Sequence, residues 1–164
     1  DKNQYDSVLG YIESGREDGA EMLCGGAVNG DGTNGYFVRP TVFDRVTPEM
    51  RIAREEIFGP VLAVMRVRDF DEAMAVANDS EYCLTSAIFT KDNSRVFRFV
   101  EEIETGVTHV NSATVGGEAH IPFGGIKATG VGGRELGSTA LDFYLDVKIV
   151  YVDYTGEKRT ATFY

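Results

Sequence analysis

The sequence predicts an α/β protein with an open, mostly parallel sheet and helices on its faces. Short apolar runs alternate with segments whose apolar residues recur at helical spacing. The order strand, helix, strand, helix, strand is typical of crossover units, which join parallel strands. Residues 61–67 are apolar almost throughout, as in a strand that is buried on both faces of a parallel sheet.

The first part of the chain predicts one helix and two strands before that run. Residues 1–19 place apolar side chains at helical spacing between charged ones, and the helix is expected to end near Gly19. Residues 20–24 predict a short strand, and the Asn- and Gly-rich residues 29–35 predict an exposed loop. Residues 36–46 predict a strand that starts late or lies at an edge, because Pro40 has no N–H to donate.

The second part repeats the alternation of helix and strand. Residues 69–78 predict a helix, with acidic side chains in the first turn where the helix dipole favours them. A strand is predicted over 84–90, a helix capped by Asp92 over 92–104, and a strand over 107–110. A short helix is predicted over 138–145.

Two further segments have their own character. Residues 112–137 are rich in glycine and show no clear period, which favours a loop that lines a cleft. Residues 147–152 are β-rich, and we expect residues 147–154 to form a strand that pairs outside its own compact unit.

Charge and composition exclude several classes of partner. The 164 residues include 26 acidic and 16 basic side chains, a net charge of -10, which disfavours nucleic acid and anionic membranes. Because no apolar stretch is long enough to span a bilayer, we expect a soluble, cytoplasmic protein. The sequence does not begin with Met, so we expect a piece of something longer.

The cysteines, histidines and glycines give little support to metal or phosphate binding. Cys24 and Cys83 lie 59 positions apart and, with only His109 and His120 to help, do not form a zinc pattern. Both cysteines are expected to be small buried hydrophobic side chains. Residues 130–137 match a glycine-rich phosphate loop weakly, since they lack a preceding strand and the Lys-Ser/Thr ending.

Residues 54–60, with the sequence REEIFGP, carry a stronger signal. Two carboxylates precede an aromatic residue and a Gly-Pro break directly before the predicted strand 61–67. A carboxylate at such a junction is suited to accept hydrogen bonds from a sugar diol, and Phe58 to pack on a flat ring. The alternative is a solvated helix end.

Several motifs in one order resemble the C-terminal part of the catalytic domain of NAD(P)-dependent aldehyde dehydrogenases. They are REEIFGP at 54–60, IPFGGIKATG at 121–130, GRELG at 133–137, GYFVRPTV at 35–42, FTKD at 89–92 and the pair Val110-Asn111. The resemblance implies that Glu56 binds the hydroxyls of the nicotinamide ribose of NAD or NADP and that Phe58 packs near the nicotinamide. It also implies that Phe123 lines the aldehyde tunnel, whose mouth is formed largely by residues 112–121.

The same resemblance implies what this chain lacks. In the family a Cys nucleophile attacks the aldehyde and a Glu acts as general base, and both lie N-terminal to the matching region. Neither Cys24 nor Cys83 lies in that motif, so we predict no catalytic residue in this chain and no activity for the chain alone. Cys83 stands where relatives usually carry Gly, which favours a packing role.

His120 is the one potential cation of the loop 112–121, and no Lys or Arg accompanies it. A histidine is mostly neutral at pH 7 but donates a hydrogen bond, so we expect His120 to line the tunnel and tune substrate preference about tenfold or less. The alternative is that it packs beside Pro122.

The resemblance also divides the chain in two. Residues 1–145 would belong to the catalytic domain, and residues 146–164 would form a strand and tail used in subunit assembly. The parent is therefore expected to be a homodimer or homotetramer that acts on a small-molecule aldehyde. A rival hypothesis is that the chain is a complete, non-catalytic module for assembly or nucleotide binding.

Overall fold

The computed structural model describes residues 1–26, 35–152, 154 and 156. The elements, in chain order, are α1 (Lys2–Glu17), β1 (Glu21–Cys24), β2 (Thr41–Asp44), α2 (Arg51–Arg54), β3 (Val61–Ala63), α3 (Phe70–Asn78), β4 (Tyr82–Cys83), β5 (Thr85–Ile88), α4 (Asn93–Glu102), β6 (Val107–Val110), β7 (Ile126–Lys127) and α5 (Thr139–Tyr144). The predicted α/β class with open sheets and flanking helices is confirmed.

Aspartates fix the starts of the three longer helices. The side chain of Asp1 accepts from the backbone N–H of Gln4 at 2.9 Å, and Asp69 caps α3 in the same way at 2.9 Å. Asp92 caps α4 by accepting from Ser94 at 2.9 Å, as the sequence predicts. Each cap satisfies an N–H that has no partner within its own helix.

The strands of the described residues form three small sheets. β1, β2 and β3 lie side by side, with β1 antiparallel to β2 and β2 parallel to β3. β5 and β6 form a parallel pair, whereas β4 and β7 form an antiparallel one. The crossover from β2 to β3 contains α2, and that from β5 to β6 contains α4, so both parallel pairs are the expected crossover units.

Two apolar clusters hold these layers together. In the larger, Val8 and Ile12 of α1 pack against Phe43 of β2 and Ile52 of α2. Gly15 permits the close approach, because a Cβ there would lie 3.1 Å from the Phe43 ring. The smaller cluster joins α3 and α4 and consists of Met74, Phe99 and Ile103, with Phe70 and Ile88 packed against it.

One cysteine prediction is wrong and the other is confirmed. Cys24 is exposed: it ends the edge strand β1 beyond a shift of register after Met22, and it is not among the residues packed against the larger apolar cluster. Cys83 is buried, and its thiol lies 3.6 Å from the carbonyl oxygen of Ser80.

Other predictions differ from the structure in extent. The strands predicted over 36–46, 61–67 and 84–90 are confined to 41–44, 61–63 and 85–88. β3 is not buried on both faces, since Leu62 is exposed. The short α2 appears in the sequence analysis only as the alternative of a helix end at 54–60. Most of the loop predicted over 29–35 lies outside the described residues. Residues 147–152 are exposed and pair with no strand in the described chain, so their pairing with a partner stays a prediction. No helix among the described residues is long and apolar enough to cross a membrane.

Candidate functional site

The two adjacent carboxylates after α2 occupy different environments. The carboxylate of Glu55 accepts a hydrogen bond from the Tyr11 hydroxyl at 2.8 Å and another from Arg51 Nε at 3.0 Å. The hydrogen bond from Tyr11, and after it the hydrogen bond and the charge of Arg51, lower the pKa of Glu55 below its ordinary value. The Arg51 guanidinium also lies 4.4 Å from the centre of the Tyr11 ring. Glu55 therefore anchors α2 to α1.

Glu56 is exposed and has no hydrogen bond or ion pair to any other described residue. Extended backbone follows α2, so successive side chains point in opposite directions. Because the side chain of Glu55 points toward Tyr11, that of Glu56 points outward. Its two oxygens are free to accept hydrogen bonds from a ligand.

Phe58 is presented by a constrained backbone. Its φ is 50°, which is uncommon for a bulky residue, and its side chain is 76% exposed. Gln4 Nε2 donates to the carbonyl oxygens of Phe58 at 3.0 Å and of Ile57 at 3.2 Å. Gly59 follows, and a Cβ at Gly59 would lie 2.8 Å from a methyl carbon of Val8. Helix α1 thus holds the segment that carries both Glu56 and Phe58.

A cleft of about 270 Å³ adjoins this segment. Its walls are Phe58 and Pro60, the start of α1 and residues 36–38. The rings of Tyr5 and Tyr36 meet there with centroids 5.6 Å apart. The exposed face of Phe58 thus stands beside an aromatic-lined cleft. Glu56, two residues earlier in the chain, is not among the described residues of its lining.

A larger cavity, of about 640 Å³, lies between the parallel pair β5/β6 and the Gly-rich segment. Its lining includes Thr114, Glu118 and Ile121 of the loop 112–121, together with Phe123. The structure therefore brings Phe123 and that loop to one cavity. That this cavity is the aldehyde tunnel stays a prediction.

Phe123 and the two glycines that follow it are held in place by contacts of their backbone. It exchanges two hydrogen bonds with Glu135, at 2.7 and 2.9 Å, in an isolated antiparallel bridge. Arg134 Nη1 donates to the carbonyl oxygen of Gly125 at 2.6 Å. Gly106 has no Cβ, which leaves room for the Gly124 carbonyl against the start of β6.

Asn111 fixes the point at which the loop 112–121 leaves β6. Its φ is 54°, in the left-handed region that Asn tolerates. Its side-chain amide clamps Thr90: Oδ1 accepts from the Thr90 N–H at 2.8 Å, and Nδ2 donates to the Thr90 carbonyl at 3.0 Å. The family motifs Val110-Asn111 and 89–92 thus meet at the ends of adjacent strands.

The structure separates the two histidines. His120 does not line the larger cavity; its side chain is 75% exposed and its Nε2 lies 3.3 Å from a carboxylate oxygen of Glu118. Its role in substrate choice stays a prediction. His109 does line the cavity, although the sequence analysis considered it only as a metal ligand. The alternation of side chains along β6 was the available signal, but which face meets the cavity depends on the loop 112–121.

Among the residues that the structure describes, no group of His, Cys, Asp and Glu side chains is arranged to hold a metal ion. The two thiols lie in different sheets, Cys24 in β1 and Cys83 in β4.

Comparison with known proteins gives a consistent match. The family model described as "Aldehyde dehydrogenase family" matches residues 1–150. The chain is 45% identical to an alpha-ketoglutaric semialdehyde dehydrogenase of Bacillus subtilis, a match that covers 92% of this chain and 31% of the relative. It is 48% identical to an alpha-ketoglutarate semialdehyde dehydrogenase of Haloferax volcanii, with 93% and 32% covered.

The fold is matched as well. A crystal structure of a Mycobacterium tuberculosis aldehyde dehydrogenase complexed with NAD+ superposes with a TM-score of 0.81 at 39% identity, covering 87% of this chain and 29% of that one. The chain therefore spans about 30% of the length of the relatives that it matches.

Proposed function

This chain belongs to the aldehyde dehydrogenase family, and we propose that it supplies the nicotinamide-facing segment and part of the aldehyde cavity of an enzyme that oxidises aldehydes to carboxylic acids. The proposal concerns a longer protein, because the relatives are about three times as long as the matched segment. The order of the motifs at 54–60, 121–130 and 133–137 supports its placement in the C-terminal part of the catalytic domain.

The observation that carries the proposal is the contrast between Glu55 and Glu56. One carboxylate is bound to Tyr11 and Arg51, whereas the next has no partner among the described residues and is exposed. A free carboxylate that accepts two hydrogen bonds fits the two hydroxyls of a ribose. The exposed face of Phe58 fits a flat heteroaromatic ring. Glu56 and Phe58 would therefore hold the nicotinamide riboside of NAD or NADP.

When bound, NAD or NADP supplies the hydride acceptor of the reaction. The residues of this chain would orient that acceptor: Glu56 by hydrogen bonds to the ribose, Phe58 by packing. Gln4 contributes through the backbone, since its two hydrogen bonds hold residues 57 and 58 in place. Such positioning matters because small displacements of reacting groups cost large factors in rate.

At the aldehyde side, Phe123 and the loop 112–121 would form the wall of the substrate cavity. Most of its lining side chains are apolar or small, which favours the carbon chain of an aldehyde and limits the entry of water. His120, at the exposed rim beside Glu118, would influence substrate choice modestly.

The nucleophile and the general base would come from residues outside this chain. Cys83 is buried with its thiol 3.6 Å from the Ser80 carbonyl oxygen, and Cys24 lies on an edge strand. Neither cysteine is among the described residues that line the cavity of Phe123. The 164-residue chain alone should therefore show no aldehyde oxidation. The absorbance of reduced cofactor, followed with a panel of aldehydes, checks this. If the chain alone oxidises an aldehyde, and alkylation of Cys24 or Cys83 abolishes this turnover, the prediction is wrong.

The full-length protein that carries this chain provides the decisive test. We expect it to reduce NAD or NADP in the presence of an aldehyde and to release the corresponding acid. Initial rates with both cofactors across alkyl, hydroxylated, keto and carboxylated aldehydes measure this. A full-length protein that binds cofactor but oxidises none of them would support the rival hypothesis of a non-catalytic module. We further propose that the protein assembles as a homodimer or homotetramer through residues 146–164.

A further inference from the structure

Among the described residues that line the cavity between β5/β6 and the loop 112–121, the one imidazole is that of His109, to which the proposed function gives no role. Most of the wall is apolar: Leu84, Val107, Ile121, Pro122 and Phe123 all line it. The polar side chains of the described lining are three threonines, Glu118 and His109. In a cavity of this kind, a small number of precisely placed polar groups sets the orientation and selectivity of the ligand. The His109 side chain is half-buried, so its ring is partly shielded from bulk water.

The position of His109 is well fixed. It lies in β6 and pairs with Ala87 of the parallel strand β5. Two residues later, the side-chain amide of Asn111 links the ends of the two strands through two hydrogen bonds with the backbone of Thr90. A group on a paired strand presents its nitrogens with less freedom than one on a loop.

The two ring nitrogens of His109 are not equivalent. Nδ1 lies 3.4 Å from the Ser112 hydroxyl oxygen, whereas Nε2 has no hydrogen bond to the rest of the described chain. If the Ser112 hydroxyl donates to Nδ1, the proton of the neutral ring sits on Nε2, which is then a donor. The complementary group is an oxygen acceptor on the ligand.

The charges of the cavity narrow the choice of acceptor. Glu118 is the single charged side chain in the described lining, and no Lys or Arg is found there. A carboxylate brought against this part of the wall would meet a like charge and, among the described lining residues, no fixed cation. A hydroxyl or keto oxygen carries no such penalty and can still accept from an imidazole N–H.

We propose that His109 is a specificity-determining residue of the aldehyde cavity, whose Nε2 donates a hydrogen bond to an uncharged hydroxyl or keto oxygen on the substrate. This rests on the proposed function, because it takes the cavity to be the aldehyde site. It replaces neither the nucleophile nor the cofactor contacts. It assigns the larger effect on selectivity to the histidine inside the cavity and the smaller one to His120 at the rim.

The test compares two substrates of equal size in the full-length protein: heptanal, and the isosteric ω-hydroxyaldehyde in which a hydroxyl replaces the terminal methyl group. The ratio of their kcat/KM values isolates recognition of the distal oxygen, because a general loss of structure or of catalysis reduces both values alike. The variants are His109→Gln, whose amide reaches the position of Nε2, and His109→Asn, whose shorter amide reaches that of Nδ1. His120→Ala is the reference histidine variant.

We expect His109→Asn to lower the hydroxyaldehyde preference about tenfold, the scale of one neutral hydrogen bond, and His109→Gln to keep it within about twofold. His120→Ala should shift the ratio less than His109→Asn does. Equal ratios in the wild type and both His109 variants would overturn the proposal, as would an equal loss in Gln and Asn or a larger effect of His120→Ala. A wild-type protein that oxidises no aldehyde would instead overturn the proposed function, and this inference with it.

Discussion

Replacing Glu56 by Gln in the full-length protein isolates the charge of one carboxylate. The change preserves the size of the side chain and, since Glu56 has no partner among the described residues, breaks no contact there. The matched control is Glu55→Gln, one residue earlier, where the same chemical change disturbs the hydrogen bonds from Tyr11 and Arg51. The pair separates cofactor positioning from the anchoring of α2.

The expected size of the effect follows from the hydrogen bonds at stake. A hydrogen bond to a charged group contributes about 1.5–3 kcal/mol, and a neutral one about 0.5–1.5 kcal/mol. A glutamine oxygen still accepts from one ribose hydroxyl, so the loss is on the order of 1–2 kcal/mol, or about tenfold in the hydride-transfer rate. Glu56→Gln should therefore slow hydride transfer more than aldehyde capture. Glu55→Gln should lower the thermal midpoint and leave hydride transfer close to wild type.

Rapid mixing of enzyme, cofactor and aldehyde measures the burst of reduced cofactor, and calorimetry measures the thermal midpoint. We expect a slower burst for Glu56→Gln at an unchanged midpoint, and the reverse for Glu55→Gln. A burst of wild-type rate and amplitude in Glu56→Gln would refute the role assigned to this carboxylate. A slow burst in Glu55→Gln would show that the two carboxylates act on the cofactor as a unit.

The remaining predictions concern stability and assembly. Asp44 is buried, and the hydrogen bond from Arg66, followed by that from the Arg45 N–H, lowers its pKa to about 2. The stability that the Asp44 carboxylate contributes is therefore present above the ordinary pKa near 3.8 and is lost as the pH falls through 2. In urea unfolding, the free energies of unfolding of Asp44→Asn and of the wild type should converge in acid. A difference that stays constant with pH would contradict this. Gly106→Ala places a Cβ against the Gly124 carbonyl and should lower the free energy of unfolding by about 1–3 kcal/mol, measured by the same urea unfolding. The control is Gly10→Ala on the exposed face of α1, where a Cβ meets no atom within 4 Å and should cause no such loss. Deletion of residues 146–164 should reduce the number of subunits in the assembly, which light scattering measures as a lower mass. An unchanged assembly mass per subunit would exclude this segment as an assembly element.

Local patterns in the sequence were sufficient for much of the fold. The helix over residues 1–19 was predictable because its apolar side chains recur at helical spacing, and the structure has α1 at Lys2–Glu17. Asp92 was identifiable as a helix cap from its chemistry and position, and the structure confirms it. The motif order also led to the family that the comparison confirms. Each of these signals lies within a few consecutive residues.

Environments that depend on distant parts of the chain were less accessible. Met22, Leu23 and Cys24 form an apolar run, yet the Cys24 thiol is exposed. Strand side chains project from the faces of a sheet, so burial depends on whether a distant element packs on the face from which the thiol projects. Similarly, β4 and β7 are two residues long and pair across more than forty positions, so no local period announces them.

The candidate site shows the same division of information. From the sequence alone, residues 54–60 were known to carry two carboxylates and an aromatic side chain, and the resemblance pointed to the second carboxylate. The separation of Glu55 from Glu56 is decided by Tyr11, forty-four positions away, whose hydroxyl binds one of them. The sequence likewise contains His109 and His120, but only the packing of the loop 112–121 over β6 places His109 in the cavity wall and leaves His120 at its rim. The sequence by itself determined which chemical groups are available and which elements carry them. Tertiary structure alone decided which groups are satisfied by a neighbour and which remain free for a ligand, because hydrogen bonds and burial depend on contacts between residues far apart in the chain.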